Sequence, residues 1–441
     1  MKADIIHRNR GKSLGLLELI AIALGGMVGG GIFTVLGISV SMIGAFTPFA
    51  ITLGGMIAAL AAYSYIKLGV YYKDEGATYS FFKRTFPHSS FAGSLIGWWV
   101  IFGYISTIAL YAYTFSSYAI SGFPFADDQL LRKMVACAAI TLFVSINLWS
   151  VKGMGKIEDL MVYTKLVILV VISFSLINHS QTTLPNLLEN NMDISVLSIL
   201  IVASLTFVAY EGFQLVINAV NEMDNPSKNI PRAIYSAIFL AVMIYVIISL
   251  GAILAIPFEN IIQNKEYALA AGAEESLGHF GTHLVILGAV LATCSAINGT
   301  LFGASRQMSV IAQDGYFPKQ LAKRNQNIPT LAVICMGLFA VLLIVLGDLQ
   351  VILEFGSVTF LLVSFLMAYA NYRIRDKTNS SLWITLLSMV ALFMGTCMII
   401  YYEVVTQIKQ LYFIVAIYVI LTVLAYVYAK LSVKSMQKHR L

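Results

Sequence analysis

Three positions in this chain could do chemistry in apolar surroundings: Glu211, Lys165 and the glycine run Gly29-Gly30-Gly31. Glu211 sits about midway through an apolar stretch, in Phe207-Val208-Ala209-Tyr210-Glu211-Gly212-Phe213-Gln214. A carboxylate there is costly and marks function by default. It could hold an amine, take up a proton or pair with another helix, with Phe207, Tyr210 and Phe213 beside it. Lys165, in Val162-Tyr163-Thr164-Lys165-Leu166-Val167-Ile168, is the basic residue deepest inside an apolar run. About eight residues from one end, roughly 12 Å of helix, it is at the limit of snorkelling to water, so its amine can load and release a proton. Three glycines weaken a helix and free backbone polar groups. In hydrocarbon such groups are tolerated only where they line a cavity or bind something. Close packing through Gly26-x-x-x-Gly30 is the competing reading.

The elements that must position these residues are membrane-length. Of 441 residues, 59% are hydrophobic and 11% charged, against about 25% charged in soluble domains, which excludes a globular cytosolic enzyme. Twelve apolar runs approach the ~20 residues that cross a bilayer. They cover roughly 14–41, 45–66, 91–121, 131–150, 157–178, 194–221, 231–256, 282–312, 329–347, 350–372, 381–402 and 410–430. The glycines interrupt run 1 and Glu211 interrupts run 6. Paired breaks in corresponding segments of two halves point to a carrier's binding site. Half-helix amides there can hold a carboxylate and free carbonyls a cation. Val28–Gly31 and Phe207, Val208, Ala209, Tyr210 and Glu211 are therefore the candidate binding residues. Thr293 and Ser295, in the polar cluster Thr293, Cys294, Ser295, Asn298 and Thr300 of run 8, join Lys165 as proton-handling candidates if they face it.

Charge sets the expected orientation. The net charge is +6, and most Lys and Arg fall on one side: Lys2, Arg8, Arg10 and Lys12 at the start, groups such as Lys67, Lys73, Lys83 and Arg84 later, and Lys430, Lys434, Lys438 and Arg440 at the end. Arg132, Lys133, Lys265 and Lys409 lie on the other. The positive-inside rule places both termini in the cytoplasm, which requires an even number of spans. The excess charge is thereby explained without nucleic acid. Met1–Lys12 does not resemble a cleaved signal. Cys137, Cys294, Cys335 and Cys397 show no disulfide or metal spacing. Asp348, Glu354 and Glu18 lie near run ends and read as interfacial. The segment near 67–90 reads as a surface helix, and that near 257–281 as a short helix over an entrance, or both as plain connectors. Residues 1–13 form an arm, 14–178 (runs 1–5) and 194–372 (runs 6–10) two five-helix repeats, 381–430 runs 11 and 12, and 431–441 a tail. Because five is odd, the repeats are inverted. H-E-x-x-H and phosphate-loop patterns do not occur, so no enzyme and no cofactor are expected.

Three stretches resemble the amino acid–polyamine–organocation superfamily of permeases: Gly29-Gly30-Gly31-Ile32-Phe33; Ala209-Tyr210-Glu211-Gly212-Phe213 followed by Asn221 to Ile234; and Gly303-Ala304-Ser305-Arg306 with Ala312-Gln313-Asp314-Gly315-Tyr316-Phe317-Pro318. The resemblance implies an all-α, twelve-helix, LeuT-type inverted-repeat fold in the cytoplasmic membrane. It implies a substrate carboxylate near Gly29–Gly31 and its amine near Phe207–Tyr210. It also implies a proton rather than sodium as the coupling ion, since Lys165 matches a helix 5 lysine that replaces a cation between helices 1, 5 and 8. Where many relatives carry an apolar residue this chain has Glu211, which would suit a cationic substrate or an added proton site. The expected partners are an amino acid and the lipid bilayer, with the chain a monomer or weak homo-oligomer. Proton symport is the leading expectation; an amino acid or amine exchanger, a channel and a substrate sensor are the alternatives.

Overall fold

The glycine run does split run 1. In a computed structural model describing residues 14–149, 151–189, 194–325 and 328–438, helix α1 (Leu16–Met27) stops at Val28 and α2 (Gly31–Ile43) starts afresh after Gly30. Gly44, at φ 49°, ends α2, and a single 3-10 turn leads into α3 (Thr47–Tyr72), with Pro48 in its first turn. The expected surface helix is α4 (Ala77–Thr85). It is followed by α5 (Ser90–Ala119), capped by Ser89, then α6 (Gln129–Trp149), α7 (Val151–Asn178) and α8 (Leu184–Glu189).

Run 6 is broken over a longer stretch than run 1. Ser195 caps α9 (Val196–Leu205), which tightens into a 3-10 turn over Thr206–Tyr210. Glu211 is extended, at φ −68° and ψ 137°. Gly212 turns at φ 127°, and α10 (Leu215–Asn218) is one turn long. Two glycines of α3 make room for this segment. A Cβ on Gly54 would lie 2.0 Å from Thr206 Oγ1, and one on Gly55 3.2 Å from the Tyr210 ring.

The chain continues through α11 (Pro226–Ala255), α12 (Phe258–Gln263) and α13 (Ala268–Gln313), the last kinked at Gly278. It ends with α14 (Thr330–Leu346), α15 (Leu349–Arg373), α16 (Arg375–Thr378), α17 (Leu382–Thr406) and α18 (Ile408–Lys438). The short helix expected between runs 7 and 8 is α12, which packs on α2. The basic arm of residues 1–13 and the last three residues lie outside the described residues, as do the side chains of 151–159, 275–276 and 433–438.

Among the described residues, ten stretches are long and apolar enough to cross a membrane, and α1 and α14 are shorter apolar helices. The two halves of run 1 and the brevity of run 9 thus separate this count from the twelve runs of the sequence. Buried on almost every side, α5 lies against α6, α13, α15 and α18. By contrast α17 and α18 expose apolar residues such as Trp383, Phe393, Val419 and Val423. That is the surface a bilayer covers. The architecture is that of an all-helical integral membrane protein.

Candidate functional site

Both breaks lie at one place. A Cβ on Gly31 would come within 2.9 Å of Ala209 Cα, and one on Gly26 within 3.2 Å of Gly212 Cα. Val28–Gly31 and Phe207–Glu211 are all buried. The first turn of α2 leaves amides without intrahelical partners, and its N-cap, Gly30, has no side chain to satisfy them. The Tyr245 hydroxyl of α11 lies 2.7 Å from the Met27 carbonyl oxygen and 2.9 Å from that of Ala209, donating its one proton between the two breaks. Across the same space Thr34 and Thr114 pair through their hydroxyls at 2.6 Å. Tyr210 donates to the Ile51 carbonyl at 2.8 Å. The arrangement offers amides from one half-helix opposite carbonyls from the other, complementary to a carboxylate and an ammonium respectively.

Tyr245 was not a candidate from the sequence. A tyrosine inside an apolar helix reads as packing, and its one distinguishing signal was a phenol in a segment with no other polar reason to be there. Removing the hydroxyl (Tyr245→Phe) leaves buried carbonyls without this donor. It is expected to lower stability by about 1–3 kcal/mol, read as a fall in the thermal unfolding midpoint of detergent-purified protein. An unchanged midpoint would show the bond to be dispensable.

Glu211 is 3% exposed. Gln214 donates to its Oε1 and also to the Tyr104 hydroxyl, the latter at 3.0 Å. Its Oε2 receives no hydrogen bond from the described residues, and the described ion pairs do not include it. A narrow cavity with room for about one water touches Glu211, Tyr111, Gly26 and Gly212, and continues toward Thr300 and Gln307 of α13.

Lys165 requires a correction. Its helix starts at Val151, so the amine is about fourteen residues, roughly 21 Å, from that end. It is fully buried, which rules out snorkelling. Its Nζ donates to the Gly25 carbonyl of α1 at 3.0 Å and to Ser295 Oγ of α13 at 3.1 Å. Ser295 therefore faces Lys165, which was the condition for its being a candidate. Thr293 points elsewhere: its hydroxyl donates to the Ala289 and Val290 carbonyls of its own helix, and its methyl packs beside Gly30. Asn298 accepts from Asn147 of α6 at 3.1 Å.

Polar contacts close the bundle at both ends. At one, Arg132 of α6 is 2% exposed and pairs with Glu266, while Tyr267 donates to Asp127 at 3.0 Å. Burial first, then Asp127, pushes the Tyr267 phenol up to about 12, so it remains a donor. At the other, Asp314 accepts from Tyr79 at 2.7 Å and pairs with Lys83 at 2.7 Å. Burial, then the Asp314 charge, raises the Tyr79 phenol far above its ordinary range. Gly315 turns the chain at φ 83°, and the Tyr316 carbonyl accepts from Trp98 at 2.9 Å. The motif Asp314-Gly315-Tyr316 thus anchors α4 and α5 to the end of α13.

Known proteins resemble this chain in sequence. A family model described as amino acid permease matches residues 14–425. Uncharacterized protein MJ0609 of Methanocaldococcus jannaschii is 26% identical over 426 residues, covering 96% of this chain and 97% of that protein. Inner membrane transport protein YbaT of Escherichia coli is 28% identical over 378 residues, covering 85% and 86%. Asc-type amino acid transporter 1 of Homo sapiens is 29% identical over 363 residues, covering 78% and 68%. A match along nearly the whole helical chain, both breaks included, leaves one assignment: the chain belongs to the amino acid permease family of the amino acid–polyamine–organocation superfamily, as a multi-pass membrane transporter of amino acids and not an enzyme.

Proposed function

We propose that this protein is a secondary active importer that moves an amino acid together with a proton across the cytoplasmic membrane by alternating access. The observation that carries this reading is the meeting of the two breaks at Gly31 and Ala209 beside a buried amine, Lys165, bonded to α1 and α13. In this reading the chain crosses the membrane twelve times with both termini cytoplasmic, and residues 14–178 and 194–372 are inverted repeats. Val28–Gly31 bind the substrate carboxylate and Phe207–Tyr210 its ammonium. Lys165 carries the coupling proton, with Ser295 accepting from it and Thr293 shaping the space beside Gly30. The helices of runs 1, 2, 6 and 7 rock against those of runs 3, 4, 5, 8, 9 and 10. Lys165 gives up its proton to the proton-poor cytoplasm as the substrate leaves. The test is uptake of labelled amino acids and polyamines into proteoliposomes with and without an inwardly acidic-to-alkaline gradient; uptake indifferent to the gradient would sink symport.

One observation favours a second reading, an exchanger of cationic amino acids or polyamines: Glu211 Oε2 is buried beside the binding space and receives no hydrogen bond from the described residues. An ammonium or guanidinium on the substrate side chain would satisfy it. The name of one relative, large neutral amino acids transporter small subunit 2 of Oryctolagus cuniculus, supports a neutral substrate. Glu211→Gln separates the two. A cationic substrate is expected to lose about tenfold in affinity, roughly 1.4 kcal/mol, whereas a neutral one keeps its affinity, both read by competition against labelled substrate. Unchanged selectivity and pH profile would remove Glu211 from either role.

A further inference from the structure

Glu354 and Glu403 lie apart from the binding space, and the sequence suggested an interfacial role for the first and none for the second. Both are buried: Glu354 of α15 is 0% exposed, and Glu403, in the last turn of α17, 1%. The two carboxyls share one pocket between α15 and α17, where Gln350 joins Glu354 to Tyr402, the residue before Glu403, and each acts on the other. Gln350 donates to Glu354 Oε1 at 2.8 Å and to the Tyr402 hydroxyl at 3.2 Å. Glu354 Oε2 and both oxygens of Glu403 receive no hydrogen bond from the described residues. The other titratable groups acting on the pair are Asp348, at the start of α15, and Tyr402, beside Glu403 on α17. The described ion pairs bring no cation to it.

Two ionised carboxylates cannot rest against each other in such a place. Like charges a few ångströms apart repel strongly at low dielectric, and each orphaned oxygen adds a desolvation cost. A single proton placed between them removes one charge, and turns the repulsion into a short, charge-assisted O–H···O bond. We propose that Glu354 and Glu403 form a proton-binding site, an acid–carboxylate pair that holds one exchangeable proton and joins α15 to α17. The site is distinct from Lys165 and does not depend on which substrate is carried. Its position gives it a mechanical consequence. One turn beyond Glu354, Ser357 donates to the Leu205 carbonyl at 2.9 Å, where α9 gives way to the break. On α17, Gly395 approaches Ser204 of α9 closely enough that a Cβ would lie 3.3 Å from its hydroxyl oxygen. The pair therefore clamps together the two helices that hold the first half of the broken segment, and losing the proton would push them apart.

The test uses the full-length protein in lipid nanodiscs. Infrared spectra in H2O and D2O count protonated carboxyls at neutral pH in wild type, Glu403→Gln, Glu354→Gln and the double variant. A glutamine amide can donate to the remaining carboxylate, so each single variant should fold. One shared proton predicts that each single variant loses one protonated-carboxyl band and that the double variant loses no more. Because folding takes up this proton, stability falls as pH rises. Wild type should lose about 4 °C of unfolding midpoint between neutral and alkaline pH that Glu403→Gln does not lose. Full ionisation of both carboxyls, with no band lost in any variant, overturns the proposal. So does a second band lost only in the double variant, which means two protons. A sodium- or potassium-dependent rise in midpoint that the single variants lack overturns it too, by assigning the site to a metal cation.

Discussion

Lys165→Ala is expected to abolish amino acid accumulation driven by a proton gradient while sparing exchange of substrate across the membrane. With one proton per substrate, a gradient of one pH unit sustains about tenfold accumulation, since one unit corresponds to about 1.36 kcal/mol. The variant should fall to the level seen when the gradient is collapsed. The amine is fully buried, and bonds α1 just before its break to α13 through Gly25 and Ser295. An ammonium is a three-way donor with a full charge; the neutral amine is a weak donor with a lone pair of its own. Protonation therefore tightens, and deprotonation loosens, the contact between the helix that ends at Met27 and the helix that carries Ser295. Alanine removes both states, and with them the link to the gradient, but leaves the amides of α2 and the carbonyls near Ala209 in place. Counterflow from preloaded proteoliposomes should persist. Full pH-driven accumulation by Lys165→Ala would remove the amine from the mechanism.

How much of this could be read before the fold was known depends on what kind of signal each residue leaves. The breaks were legible because glycine in series and a carboxylate in mid-run violate what a spanning helix needs, and both violations are local. Lys165 was legible for the same reason, but its depth was not. Hydropathy marks the bilayer-facing part of a helix, whereas α7 continues through the polar stretch before residue 157 back to Val151, which puts the amine far from either end. Thr293 looked equivalent to Ser295 in sequence, yet two positions along a helix turn the side chain through about 200°, and its hydroxyl closes on its own backbone. Glu354 and Glu403 were misjudged or missed because a carboxylate near a run end ordinarily reaches water. Here neighbouring helices cover that end, and burial by a neighbour leaves no trace in the local sequence. Gly54 and Gly55 were passed over for a related reason: glycines inside an intact helix matter only once the partner that approaches them is known. The count of spans suffered least, since each apolar run is its own signal. Its discrepancies arise where one run is two half-helices and where α14 is short.

The second large effect belongs to Gly212. Replacing it with alanine is expected to eliminate uptake and lower substrate affinity by at least about tenfold. Two independent costs combine at this residue. Its φ of 127° is outside what an L side chain adopts readily, a strain of about 1–3 kcal/mol. Its Cβ would also meet backbone, 2.6 Å from the Gly26 carbonyl carbon and 2.8 Å from Met27 N. Backbone cannot swing away as a side chain can, so α1 must move relative to the broken segment or Gly212 must abandon its turn. Either shift displaces the Met27 and Ala209 carbonyls from the Tyr245 hydroxyl that spans them, and separates the half-helix ends that face the substrate. Every 1.4 kcal/mol lost from that geometry is a factor of ten in affinity. Gly122→Ala is the matched control, because none of the described residues lies within 4 Å of the Cβ it would add; its uptake and affinity should equal those of wild type. Binding by scintillation proximity, with protein folding checked by size-exclusion elution, reads both variants. Wild-type affinity in Gly212→Ala would mean that the two breaks need not touch to hold a substrate, and that the site lies elsewhere.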